Sequence, residues 1–419
     1  MNIIKWILKG MSSILLVPYL LVLFLSAIYV RIFKSNPKDD IRLVWGSAPI
    51  INNKYWSKSM QQKSYKSDTF VSSYLSVINK KDDWDYILTD KYKFIPYPFK
   101  CYIAFIESLF KYDVFFISFK GFFIGHTLIG RLQHLIFKIA DKKVVVIPYG
   151  SDSYVYRRVK STTLLHGLLM SYPEAARQQN KIKEKVEYWI KHANVVIPGS
   201  MGQDGFGRWD VLTPSTLSID TSQWLPSEKR NTSNGSPNSE PIVVAHTPNH
   251  RGFKGTEFLV SAINDLKKEG FNVKLCLIEN MQNEEVRKIL QSKADILVEQ
   301  LIMGYALSAI EGMACGIPVI SNLTDENYTL PFKRWSFLGE CPIVSASPET
   351  VKDELRNLIT NPELRQDLGN KSRDYVMKYH SLEASGHLFT NVLQYLYGEK
   401  ESLINLYHPL LSQDKSSNT

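Results

Sequence analysis

The first strong pattern is an uncharged apolar run, Ile14 to Val30, reading ILLVPYLLVLFLSAIYV. With Met11, Ser12 and Ser13 it reaches about 20 residues, enough to cross a bilayer core. Lys5 and Lys9 precede it, and Arg31, Lys34 and Lys38 follow. A cleaved signal peptide would need a shorter apolar core and a small-residue cleavage site. Leu25-Ser26-Ala27 is a poor one, because bulky Ile28, Tyr29 and Val30 come next. A buried helix is the other alternative. The expectation is a membrane anchor over residues 1–33. Positive flanks on both sides, heavier downstream, put the body on the cytoplasmic face. Pro18 leaves an interfacial course open beside a single pass.

After the run, short apolar stretches alternate with helix-spaced ones. Ile41–Trp45, Val114–Ser118, Lys143–Ile147 and Ala193–Ile197 read as buried strands. Leu128–Ala140 and the charged stretch Glu174–His192 read as the helices between them. Ser227–Pro241, SEKRNTSNGSPNSEP, is polar and reads as a linker. The rhythm then restarts, with strands at Ile242–Ala245, Val273–Ile278, Ile296–Val298 and Pro318–Ile320. Helices are expected at Thr256–Glu269, Ala306–Ala314, Glu349–Ile359 and Pro362–Tyr379. Strand–helix–strand units imply parallel sheets. The fold class is therefore α/β, with two Rossmann-like domains at 41–226 and 242–398, a linker at 227–241 and a tail at 399–419. Gln413–Thr419 is expected to be disordered. Ligands of such sheets bind beyond the carboxyl ends of the strands.

Composition changes this picture little. The chain has 419 residues, too many for one typical domain, and a net charge of +9. A basic balance suits an anionic membrane or a phosphate-bearing ligand; no nucleic-acid-binding signature accompanies it. Cys101, Cys276, Cys315 and Cys341 are scattered, which argues against a disulfide framework or zinc site and fits a reducing compartment.

Two loops carry candidate chemistry. Gly304-Tyr-Ala-Leu-Ser-Ala-Ile-Glu311 places a glycine loop before a helix that bears an acid, and Gly316 and Pro318 end it. Such a loop offers backbone N–H groups to phosphate, and a carboxylate further on suits ribose hydroxyls. An ordinary helix–strand junction with a surface glutamate has the same pattern. In His246-Thr-Pro-Asn-His-Arg251-Gly-Phe-Lys254-Gly-Thr256, two cations follow a strand end and suit a departing diphosphate. A solvated basic loop is the alternative.

The Gly304–Ile320 stretch resembles the donor-site signature of glycosyltransferase family 4, whose members have the GT-B fold. In that pattern, E-x7-E followed by G-x-P-V-I, Glu311 matches the second acid, which implies a ribose contact. The first acid's position is Met303, a departure; Glu299 and Gln300 are the polar residues nearby. Arg251 and Lys254 match the family's phosphate-holding cations. The resemblance implies a donor site of Arg251, Lys254, Gly304, Tyr305, Glu311 and Gln300. Ser218-Ile-Asp220 with Trp224 and Pro226 resembles the family's crossing between domains, and Leu382–Tyr397 its helix returning to the first domain. Where the family often has a histidine, Pro148-Tyr149-Gly150-Ser-Asp152 has Tyr149.

His126 is the nearest other base and Asp152 the nearest acid, so both join Arg251 and Lys254 as catalytic candidates. A structural histidine and a helix N-cap are the respective alternatives. Trp45, Tyr55 and Trp56 are candidates to stack on sugars or to fill the core.

The reading implied is a glycosyltransferase of cell-surface polysaccharide biosynthesis at the inner membrane, single-pass or monotopic. It would move sugar from a nucleotide-sugar donor to a glycan or lipid-linked acceptor, with retention. The resemblance implies a metal-independent reaction, so no metal is expected, and no cofactor, the nucleotide sugar being a substrate. A non-catalytic nucleotide-sugar-binding subunit and a GT-B epimerase are the alternatives.

Overall fold

The computed structural model describes residues 16–34, 40–74, 79–198, 207–227 and 231–411. The start of the apolar run, its flanks Lys5, Lys9 and Lys38, part of the linker and the Gln413–Thr419 tail lie outside them.

The first domain is a six-stranded parallel sheet. Its strands are β1 (Arg42–Ser47), β2 (Lys66–Val71), β3 (Tyr86–Ile87), β4 (Val114–Ile117), β5 (Lys143–Val146) and β6 (Val195–Val196), in the order β3-β2-β1-β4-β5-β6. The second holds β7 (Ile242–His246), β8 (Val273–Leu277), β9 (Ile296–Val298), β10 (Val319–Ser321) and β11 (Val344–Ser345), in the order β11-β10-β9-β7-β8, again parallel. The order reverses between β1 and β4 in one sheet and between β7 and β9 in the other. Loops leaving a sheet at such points diverge and open a crevice. The His246–Thr256 and Glu299–Leu307 loops leave from the second of these points.

β2, β3 and β11 are absent from the sequence pattern. β2 reads KSDTFV and pairs Asp68 with Val44, so it lacks the apolar run of a doubly buried strand. Leu128–Ala140 is helical only over Gln133–Ile139, because Thr127–Leu132 makes tight turns around Gly130. The Glu174–His192 stretch is two helices, Pro173–Arg177 and Gln179–His192.

The 231–241 segment is no free tether. Arg365 donates to the carbonyls of Asn231 and Ser233 at 2.9 and 2.6 Å, pinning it to the second domain. Helix Leu382–Leu396 returns to the first domain. There Phe389 lies edge-on to Trp45 (4.8 Å between ring centroids), Trp56 (5.8 Å) and Phe116 (5.5 Å), all in one core. Trp45 and Trp56 are thus core residues and not sugar platforms; their indoles donate to Ser67 Oγ and the Thr216 carbonyl.

Helix Leu16–Phe33 lies along the first domain. Leu23, Ala27 and Val30 are fully buried in a core shared with Tyr102 and Phe105 of helix Tyr97–Lys111 and Phe137 of helix Gln133–Ile139. Its other face exposes Val17, Leu21, Leu25, Ile28 and Ile32. Both faces are apolar, although only one meets protein.

Candidate donor site

Lys254 ends a one-turn helix, Arg251–Lys254, after β7, and Gly255 follows at φ 71°. A Cβ at Gly255 would lie 2.9 Å from Leu301 Cβ, so glycine is required there. His246 ties the loop to the sheet. Its Nδ1 donates to the Val298 carbonyl at 2.7 Å and its Nε2 accepts from Thr256 Oγ1 at 2.8 Å. Burial first, with Lys254 and Arg251, lowers its pKa to about 4, so the ring stays neutral.

The two cations of this loop do not converge. The Lys254 ammonium points inward, paired with the Glu299 carboxylate and donating to Gln300 Oε1 at 3.1 Å. Glu299 is fully buried and also accepts from the Ala306 N–H at 3.2 Å and Ser308 Oγ at 3.0 Å. Its charge thus sits at the amino end of helix Leu307–Ala314, where it is stabilised. Arg251 is exposed and pairs with Glu257 (2.8 Å) and Glu279 (2.9 Å).

Glu311 stands on the second turn of that helix, 5% exposed. It accepts from Asn283 Nδ2 at 2.8 Å. Desolvation raises its pKa to about 7, opposed by Asn283 and Lys254 and reinforced by Glu299. It lines a pocket of about 250 Å³ between the domains, with Lys54, Tyr55 and Lys80 on one side and Asn283, Glu284 and Arg287 on the other. Lys80 reaches across to Glu284 at 3.0 Å. Asn283 and Lys80 have no motif, so only the folded chain reveals them; of the aromatic candidates, Tyr55 lines this pocket.

Other candidates sit elsewhere. Tyr305 belongs to the core: its hydroxyl lies 3.2 Å from Tyr375 Oη and 3.1 Å from His380 Nε2. Gly304 adopts φ 68°, and its N–H is taken by the Asn322 carbonyl at 2.6 Å, so it is not free for phosphate in this state. Asp152 caps no helix. It is buried and accepts from the N–H groups of Phe119 (3.1 Å), Tyr149 (3.0 Å) and Gly150 (3.2 Å), clamping the loops after β4 and β5. Burial raises its pKa to about 6. His126 is exposed, with Lys185 Nζ 3.3 Å from its Nδ1. Desolvation, Lys185 and Lys120 lower its pKa to about 4, which suits a hydrogen-bond acceptor better than a base working near neutrality.

Met303, where the resembled motif has its first acid, is 1% exposed in an apolar cluster that joins the domains. Tyr154, Leu164 and Leu168 come from the first domain, and Phe253 and Tyr328 from the second. Helix Thr162–Ser171 carries Leu164 and Leu168 and covers the Arg251–Lys254 turn; Ser171 Oγ accepts from the Phe253 N–H at 3.1 Å. The approach is tight, since a Cβ on Gly167 would lie 2.8 Å from Ile302. Among the described residues no three His, Cys, Asp or Glu side chains gather as a metal site would need.

No family model matches the chain. An uncharacterized glycosyltransferase of Methanocaldococcus jannaschii is 27% identical over 153 aligned positions, covering 30% of this chain and 40% of that protein. The chain thus spans well under half the length of this curated relative. Among solved structures, sucrose-phosphate synthase of Thermosynechococcus elongatus aligns with TM-score 0.51 at 15% identity, covering 86% of this chain and 100% of that one. The catalytic domain of starch synthase IV from Arabidopsis thaliana, bound to ADP and acarbose, aligns with TM-score 0.52 at 11% identity, with the same coverage. The chain is a two-domain GT-B protein, similar over part of its length to a glycosyltransferase.

Proposed function

We propose that this chain is a glycosyltransferase that moves a sugar from a nucleotide-sugar donor to a glycan or lipid-linked acceptor at a membrane, with retention and without a metal. The observation that carries the reading is Glu311, a buried carboxyl facing an interdomain pocket while its helix is anchored by the Glu299–Lys254 pair. A carboxylate there accepts both hydroxyls of a ribose.

The diphosphate lies toward Lys254 in this reading. An ammonium has three N–H donors; Glu299 and Gln300 take two, and the third remains for a phosphate oxygen. Arg251 leaves its exposed carboxylate partners at little cost and swings over the leaving group. Lys254 is buried beneath helix Thr162–Ser171 and needs that helix to shift; Arg251 is already exposed. Fixed positive charge then stabilises the departing diphosphate, whose oxygen takes the acceptor proton. Glu299 is fully engaged, so it does not replace the missing acid at Met303, and the sugar meets an apolar wall there. Asp152 shapes the acceptor loops, and His126 stands exposed on the segment after β4.

Helix Leu16–Phe33 is read as a monotopic anchor. It lies on the body and turns Val17, Leu21, Leu25, Ile28 and Ile32 to lipid, with the body on the cytoplasmic side of the inner membrane. In polysaccharide assembly this arrangement would keep the cleft beside a lipid-linked acceptor.

The test is to titrate the full chain with a panel of nucleotide sugars by calorimetry, then to incubate it with each donor and a membrane lipid extract and analyse products by mass spectrometry. A bound and consumed donor supports transfer. Donor that binds and is never consumed supports the second reading, a non-catalytic nucleotide-sugar-binding subunit, which the apolar burial of Met303 favours. Conversion of donor without acceptor would indicate an epimerase.

A further inference from the structure

At the amino ends of β5 and β6, opposite the cleft, lies a second cavity of about 450 Å³. Lys138, Lys142, Lys143, Lys191, His134 and His192 line it, and Asp141 is its one carboxylate. Lys142 is neutralised by Asp113 at 2.9 Å and Lys143 by Asp141 at 3.1 Å. Among the described residues no carboxylate pairs with Lys138 or Lys191. The two imidazoles stack at 3.7 Å and 17°, and His134 Nδ1 lies 2.9 Å from Tyr188 Oη. Desolvation first, and then neighbouring lysines for His134 and His134 itself with Lys191 for His192, lower both rings' pKa values, with the Arg131 backbone opposing for His134.

An adjoining cavity of about 300 Å³ shares Asp141, Lys142 and Lys143 and runs to Val30, Arg31 and Lys34 at the end of the apolar helix. Exposed Ile28, Ile32 and Phe33 stand on that helix within a turn of Val30. Lys138 and the exposed Leu135 share helix Gln133–Ile139, which also seats the apolar helix. Unpaired cations in a cavity that adjoins a second one ending on the partly exposed apolar helix match a molecule with an anionic head and an apolar tail.

We propose that this cavity binds the phosphate headgroup of an anionic membrane lipid, with its acyl chains against the outward face of helix Leu16–Phe33. The phosphate oxygens meet the Lys138 and Lys191 ammonium groups, and the lipid fixes the rotation of the body on the membrane. This rests on the membrane placement of the helix and not on glycosyl transfer, so loss of either reading leaves the other testable.

The experiment measures sedimentation of the purified full chain with phosphatidylcholine vesicles, with and without phosphatidylglycerol. Lys138→Ala with Lys191→Ala should weaken binding to the anionic vesicles roughly 30-fold, the effect of two lysine charges near a surface. Binding to neutral vesicles and the melting temperature should be unchanged. Lys138→Arg with Lys191→Arg should restore anionic binding. Lys267→Ala with Lys268→Ala, on the second domain, is the control for general attraction; an equal loss in both pairs overturns the site. A second arm titrates inorganic phosphate and follows the His134 and His192 ring signals by NMR. If free phosphate saturates those signals while vesicle binding shows no anionic preference, the cavity is a soluble-phosphate site and the lipid assignment fails.

Discussion

The Lys254 ammonium and the Glu299 carboxylate form an ion pair closed off from solvent, and the same carboxylate caps the helix that bears Glu311. Glu299 therefore acts on the pocket through position. Removing one partner of a buried pair leaves the other charge stranded, at about 3–5 kcal/mol. Glu299→Ala is expected to lose stability of that order in urea unfolding. Glu299→Gln, which keeps a hydrogen-bond acceptor, should lose less.

If Glu311 holds the ribose as proposed, donor binding depends on pH. Its folded pKa, about 7, lies above the ordinary glutamate value, so the carboxylate is the disfavoured form in the free protein. Between the unfolded and folded pKa values the native state holds more protons, and stability from this group falls as pH rises through that window. Ribose needs the carboxylate, so nucleotide affinity should rise from pH 6 to pH 8. Glu311→Gln should flatten that profile and weaken binding by about 1.5–3 kcal/mol, the size of a charge-assisted hydrogen bond. Calorimetry at several pH values checks both; a pH-independent affinity would place ribose elsewhere.

Arg251→Ala should weaken nucleotide-sugar binding about ten- to a hundred-fold, without affecting folding, since its partners are exposed surface carboxylates. Lys254→Met should weaken binding similarly and also lower the melting temperature, because Glu299 is left unpaired. Unchanged donor affinity in both variants removes the loop from the site.

Met303→Glu, which would complete the E-x7-E pattern, should not retune donor choice. It places a carboxylate among Tyr154, Leu164, Leu168, Phe253 and Tyr328, and a buried charge without a partner costs several kcal/mol. The melting temperature should drop steeply, and the interdomain contact should loosen, read as faster proteolysis between the domains.

Deleting residues 1–33 is expected to give an unstable protein, although an anchor read from sequence would be dispensable. The deletion bares the core around Tyr102, Phe105 and Phe137. Replacing only the outward residues Leu21, Leu25, Ile28 and Ile32 with glutamine should release a folded protein from membranes, shown by fractionation with circular dichroism.

What the sequence reveals follows the physics of each element. Strands such as Val114–Ile117 and Lys143–Val146 are buried on both faces and print as apolar runs; β2, with Asp68 and Thr69 in its ladder, does not. Glu311 and the Arg251–Lys254 loop are legible because glycines at fixed offsets mark them. Which way each side chain turns is not. Lys254 and Arg251 are three residues apart, yet Glu299 draws one inward while Glu257 and Glu279 draw the other out. The covering helix Thr162–Ser171 has no signature either, since its apolar residues meet partners far along the chain.

Phe389 also bears on the order of events during synthesis. The first domain's sheet is complete by β6, but the face carrying Trp45, Trp56 and Phe116 stays uncovered until helix Leu382–Leu396 has been made. A nascent chain therefore carries an open aromatic surface while the whole second domain emerges from the ribosome. Stop codons late in the coding region, before Leu382, should leave a product that chaperones retain and proteases clear, even though every strand of both sheets is present.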